Sequence, residues 1–154
     1  MRMRYNRGIM PTDIELQRQR VRANEKDNHA VIARDFSAGR MNATKWREAI
    51  DDLGEMGLRY RLRWVDVLST SVWMGLWIPF SNSTHFDSAE VGPFKTFSIE
   101  WLEIDPVVET PRGKLLEPER VNNGPEIERR LKEVNVPYDW VEGYIRITGY
   151  VRNG

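Results

Sequence analysis

The sequence predicts an α+β fold: a mainly antiparallel sheet of about five to six strands, two core helices and an extra N-terminal helix. Three observations predict it. Leu58, Tyr60, Leu62 and Trp64 alternate with Arg59, Arg61 and Arg63. That period of two puts successive side chains on opposite faces of a strand. Trp46, Ala49, Ile50 and Leu53 recur at the spacing of one helix face. Tyr144 to Val151 keeps period two behind a Glu142-Gly143 turn, which reads as the return arm of a hairpin.

Taken in order, Met1 to Pro11 shows no periodicity and is expected to be disordered. Within Pro11-Thr12-Asp13-Ile14-Glu15, Thr12 can cap a helix and Glu15 can complete a capping box. The helix to about Phe36 is mostly polar, with Ile14, Val21 and Ile32 on a sparse stripe. Such a helix docks by a narrow edge or orders on a partner, a second copy of the chain included. Ser37-Ala38-Gly39-Arg40 reads as a linker. The expected division is residues 1–11 disordered, 12–40 helix and linker, and 41–152 a single α+β domain that folds by itself from Met41.

In the second helix, Asn42 or Thr44 supplies the cap, Gly54 the left-handed C-terminal stop, and Gly57 an extended turn. After the arginine-bearing strand, Val72 to Ile78 is apolar on both faces, with Trp73 and Trp77 on one of them. That pattern predicts a covered central strand. Pro79 to Pro93 reads as loop. Lys95 to Ile104 predicts a strand with Phe97, Ile99 and Trp101 against Ser98, Glu100 and Leu102. Pro111-Arg112-Gly113-Lys114 predicts a turn between Val107-Val108 and Leu115-Leu116. Asn123-Gly124-Pro125-Glu126 opens a third helix with the stripe Ile127, Leu131, Val134, stopped by Pro137.

Composition narrows the function classes. The 154 residues suit one domain with a sizeable core. With no cysteine, disulfides, thiolate metal sites and cysteine nucleophiles are excluded, which suits a reducing cytoplasm. No run reaches the roughly 18 apolar residues of a membrane helix. No apolar segment follows the basic N-terminus, so no secretory signal is expected. Net charge is +0, but residues 1–47 hold 11 Lys/Arg against 5 Asp/Glu, so a basic arm precedes an acidic body. Packing of the arm on its own body outweighs phosphate binding, because strong phosphate binders carry a net positive charge.

The candidate binding residues form three groups. Asn42, Thr44, Lys45 and Arg47 flank Trp46; capping explains the first two better than recognition does, and leaves Lys45 and Arg47 over. Arg59, Arg61 and Arg63 form a cationic row suited to carboxylate or phosphate. Its plainer reading is a solvated face, or pairing with a neighbouring strand's carboxylates such as Glu100. Glu100, Glu103 and Asp105 begin an acidic cluster that would suit a basic nuclease toxin as partner, or would be ordinary surface charge. His29 and His85 stand in no metal motif, and Ser83, His85 and Asp87 in one loop are better read as coincidence than as a triad. Trp73, Trp77 and Trp140 are the tryptophans least tied to a core face and the best candidates for partner contact.

Met41-Asn42-Ala43-Thr44-Lys45-Trp46-Arg47, then Ile99-Glu100-Trp101-Leu102-Glu103-Ile104 and Val136-Pro137-Tyr138, resemble an uncharacterised family of small bacterial proteins over roughly residues 30–151. The resemblance implies a small α+β domain and marks Asn42, Thr44, Lys45, Trp46, Arg47, Glu100 and Trp101 as family-typical. It implies no activity. The residues lead to a non-enzymatic, cytoplasmic protein-binding domain, in its most specific form an immunity protein that neutralises a bacterial toxin. The alternatives are a nucleic-acid-binding module using the basic arm and Arg59/Arg61/Arg63, and a small-ligand sensor. No cofactor, metal or membrane partner is expected; a homodimer through the N-terminal helix is.

Overall fold

Alternating apolar and charged side chains organise the largest sheet. The computed structural model describes residues 14–15, 28–78 and 84–154. Ile14 and Glu15 are helical; the expected disordered arm 1–11, the rest of the expected 12–36 helix up to residue 27, and residues 79–83 of the expected 79–93 loop, Ser83 included, lie outside the described residues. The elements run α1 (Asn28–Asp35), β1 (Phe36–Gly39), α2 (Ala43–Leu53), β2 (Arg59–Trp64), β3 (His85–Phe86), β4 (Phe94–Lys95), β5 (Ile99–Asp105), β6 (Val107–Thr110), β7 (Glu119–Asn122), α3 (Gly124–Glu133), β8 (Asp139–Val141), β9 (Tyr144–Thr148) and β10 (Tyr150–Arg152). Every strand pairing is antiparallel, and the fold is α+β as the patterns predict.

The central sheet has the order β2-β5-β9-β8. Past Gly149 the chain continues as β10, which takes β1 on the edge that β8 occupies beside β9. Gly149 is the hinge of this exchange. Its amide donates to the Glu100 carbonyl at 2.7 Å and its carbonyl accepts from the Arg40 amide at 2.8 Å. A Cβ there would lie 2.3 Å from the Ile99 carbonyl oxygen, so only glycine fits.

One face of the sheet is the core. Leu62, Leu102 and Ile147 form one row across three strands, and Tyr60, Ile104 and Ile145 the next. All six are buried. Helix α2 covers them with Trp46, Ala49, Ile50 and Leu53, as its periodicity predicts, and α3 adds Ile127 and Leu131. Each fully buried Leu, Ile or Phe contributes about 1.5–3 kcal/mol. Asn42 has extended backbone, and its Oδ1 accepts from the Lys45 amide at 2.8 Å, so it is the cap. The hairpin turn at Glu142 (φ 52) and Gly143 (φ 88) joins β8 to β9 as expected.

Several local expectations are corrected. Ser37 to Gly39 is an edge strand on β10 and not a linker, with Phe36 buried at its start. Gly54 stays right-handed at φ −60 and leads into a 3-10 turn, and Gly57 at φ 66 makes the left-handed stop one turn later. Val72 to Ile78 is not a central strand. It touches β2 through one bridge, Tyr60 to Met74, and then bridges Asp87 through Trp77, which is 46% exposed. The 79–93 loop includes the short strand β3. The 107–122 hairpin returns through Glu119–Asn122, and Leu115 and Leu116 lie exposed in its connection.

Candidate functional site

The face of the sheet away from the helices carries the unusual chemistry. Arg61 and Arg63 emerge there from β2, as their alternation requires. On β5, Glu100 and Glu103 are three residues apart, a spacing that puts side chains on opposite faces of a regular strand. The register resolves this. Trp64 faces Ile99 whereas Arg63 faces Trp101, so Glu100 is an extra residue in β5. Such a bulge re-aims side chains locally. Glu100, Trp101 and Glu103 all join the arginines, and Leu102 goes to the core. The expected grouping of Trp101 with Ile99 and of Glu100 with Leu102 is therefore wrong beyond the bulge.

Both carboxylates are buried, Glu103 to 1% and Glu100 to 5% exposure. A buried ionised carboxylate is stable only when paired and hydrogen-bonded. Glu103 accepts from Arg61 Nε at 2.8 Å and from Arg146 Nε and Nη2 at 3.0 and 2.8 Å. Glu100 accepts from Arg152 Nε at 2.8 Å and pairs with Arg63 at 2.7 Å. Each carboxylate thus sits between two arginines. Across the sheet, Arg61, Glu103, Arg146 and Asp139 stand in one cross-strand row of alternating sign. The Glu100 carboxylate, bonded to Arg152, holds that guanidinium above the ordinary arginine pKa, with a smaller contribution from Asp35.

Aromatic rings fix three guanidinium planes. Arg61 lies 4.7 Å from the ring centres of both Trp73 and Tyr144. Arg146 lies 4.3 Å over Trp101, and Arg152 lies 4.7 Å over Phe36. Stacking on a ring is available to a planar guanidinium and attractive by charge. The result is a pre-set array of four arginines against Glu100, Glu103 and Asp139, with one positive charge in excess.

The other predicted residues are placed elsewhere. Asn42 is spent on its cap, and Thr44 is exposed beside it. Lys45 Nζ donates to the Asn135 carbonyl at 3.0 Å, tying α2 to the chain after α3. These residues and Arg47 belong to the helical layer, on the far side of the sheet from Arg61 and Arg63. Arg59 is exposed at the end of the row opposite Asp105, whose Oδ1 accepts from the Val107 amide at 3.0 Å. The structure therefore unites Arg61, Arg63, Glu100 and Glu103, and separates them from the Asn42 to Arg47 motif.

Sequence reasoning missed Arg146, Arg152, Tyr144 and Arg40 as members of this face. For Arg146 the signal existed: it alternates with Ile145 and Ile147 in a strand already recognised. Trp101 was assigned to the core and is half-buried beneath Arg146. Trp77 and Trp140 are 46% and 48% exposed, and the Trp140 indole N–H donates to Glu128. His29 stacks on Phe97 at 4.2 Å. Among the described residues no group of three His, Asp or Glu is placed to hold a metal ion, and no helix is long and apolar enough to cross a membrane.

In comparison with known proteins, the model of a family of unknown function (DUF6678) matches residues 28–154. No curated protein and no solved structure matches the chain.

Proposed function

The chain belongs to the DUF6678 family, and we propose that it is a non-enzymatic binding domain that takes an acidic protein partner on the outer face of its sheet. The observation that carries this reading is the pairing of each buried carboxylate with two arginines. One arginine would neutralise one carboxylate. Asp139 offsets the second arginine at Glu103, whereas the second at Glu100, Arg152 held over the Phe36 ring, leaves surplus charge to which Arg40 adds. Arginines fixed in this way lose little freedom on binding, so their donors can meet carboxylates of a partner at low entropic cost.

Toxin neutralisation is one form of this reading. The charge now favours a partner with an acidic docking surface over a basic nuclease, because Glu100 and Glu103 are consumed internally. The experiment is capture from cells with the full chain as bait. Replacing exposed Arg40 and Arg59 together by glutamate should abolish capture of a protein partner. Capture that survives the double replacement would sink the reading. Recovery of nucleic acid alone, lost on nuclease treatment, would move the function to the nucleic-acid alternative.

A further inference from the structure

The outer face is not flat. Near the passage of the sheet edge from β8 to β1 it holds a cleft of about 460 Å³. Arg40, Arg63, Arg146 and Arg152 line it, against Glu100 and Asp139, and Thr148 contributes a hydroxyl. Arg146 is shared with Glu103, which also holds Arg61; with that pair included, five arginines against three carboxylates leave two positive charges over. Two of the arginines have donors to spare. No side chain among the described residues pairs with Arg40. Arg152 spends Nε on Glu100, and its side chain keeps 35% exposure toward the cleft. Trp101 and Tyr150 add apolar wall, and the volume falls in the range of small-ligand sites.

We propose that this cleft binds a phosphate monoester dianion, carried by a phosphorylated side chain of the partner protein or by a small organic phosphate. The proposal rests on the reading of the outer face as the binding surface and names the group that enters it. Two surplus cations match a charge of about −2 better than the single charge of a carboxylate or sulfate ester. The guanidinium fork presents paired donors to two oxygens of a tetrahedral anion. Arg40 meets the anion from the strand edge, the exposed part of the Arg152 guanidinium meets it from the sheet, and the Thr148 hydroxyl takes a third oxygen.

The test uses the full chain in calorimetric titrations with phenyl phosphate, phenyl sulfate, a phosphoserine peptide with acidic flanks and its unphosphorylated twin. Phenyl phosphate should bind at pH 7 and weaken several-fold at pH 5, since its second proton binds with a pKa of about 6. Phenyl sulfate should bind more weakly and without pH dependence. Arg40→Ala should weaken phenyl phosphate about tenfold, the loss of one charge-assisted hydrogen bond, at unchanged melting temperature. Arg152→Lys keeps the charge beside Glu100 and should also weaken it. Tighter binding of the phosphopeptide than of phenyl phosphate assigns the group to a partner protein; the reverse order assigns it to a small organic phosphate. Binding of both peptides with equal, measurable affinity overturns the phosphate proposal and leaves the acidic-partner reading standing. Phenyl phosphate binding without either peptide keeps the cleft and removes that reading. Phenyl phosphate held no better than phenyl sulfate, or untouched by both substitutions, overturns the proposal.

Discussion

Removing the Glu103 carboxylate is the sharpest probe of the outer face. Glu103 is 1% exposed and accepts three charge-assisted hydrogen bonds from Arg61 and Arg146. Breaking a buried ion pair by deleting one partner costs about 3–5 kcal/mol, because it strands the other charge. Here the stranded groups are arginines whose side chains keep 27% and 29% exposure, so water recovers part of the loss. Glu103→Ala should therefore sit at the lower end, about 3 kcal/mol. Glu103→Gln keeps the shape and one acceptor and should cost about 2 kcal/mol. The assay is urea denaturation followed by far-ultraviolet dichroism, with a lower midpoint and an unchanged slope. In Glu103→Ala combined with Arg146→Ala, one stranded cation is gone. The double variant should lose less than the sum of the singles, by about 1 kcal/mol or more. A cost below about 1 kcal/mol for Glu103→Ala, or strict additivity, would refute the claim that two arginines and one carboxylate act as a unit.

Other expectations follow from the same geometry. Gly149→Ala drives a methyl into the Ile99 carbonyl and should destabilise by about 3 kcal/mol in the same denaturation assay. The Tyr60 hydroxyl is buried without a hydrogen-bond partner among the described residues, and burial pushes its pKa up. Tyr60→Phe should be neutral or stabilising by up to about 1 kcal/mol in urea melts. Arg129 first, and then Arg130, hold Glu126 down to about 2 from its usual 4.5. Because that folded value is depressed, its contribution is present above pH 4.5 and is lost as pH falls toward 2; Glu126→Gln should flatten acid unfolding across that window. A chain starting at Met41 loses β1 and buried Phe36 and should lose at least about 2 kcal/mol relative to the full chain by thermal melting.

The regular elements were legible because their patterns are local. Trp46, Ala49, Ile50 and Leu53 needed only helical spacing, and Arg61 and Arg63 only alternation. The pairing of that arginine row with Glu100 was also foreseen from charge. What could not be read depends on register. Nothing in Ile99-Glu100-Trp101 announces an extra residue, yet the bulge decides that Glu100 and Glu103 share a face. The strand at Ser37 to Gly39 was hidden for a similar reason: small residues give no alternation, and only the β10 edge makes them a strand. Val72 to Ile78 misled in the other direction. Its apolar residues bury against the core as a crossing segment, and apolarity alone does not separate that from a ladder.

Two carboxylates also shape how the chain reaches and leaves its native state. The arginines that hold Glu103 are 42 and 43 residues away in sequence, and Arg152 is 52 residues from Glu100. Closing loops of that length costs entropy before any contact repays it. Until β2, β5 and β9 have aligned, both glutamates remain hydrated and repel burial. The network is therefore expected to form late, locking a sheet already assembled. Contacts formed after the transition state act chiefly on the unfolding rate. Glu103→Ala is therefore expected to raise the unfolding rate more than it slows folding in a chevron measurement.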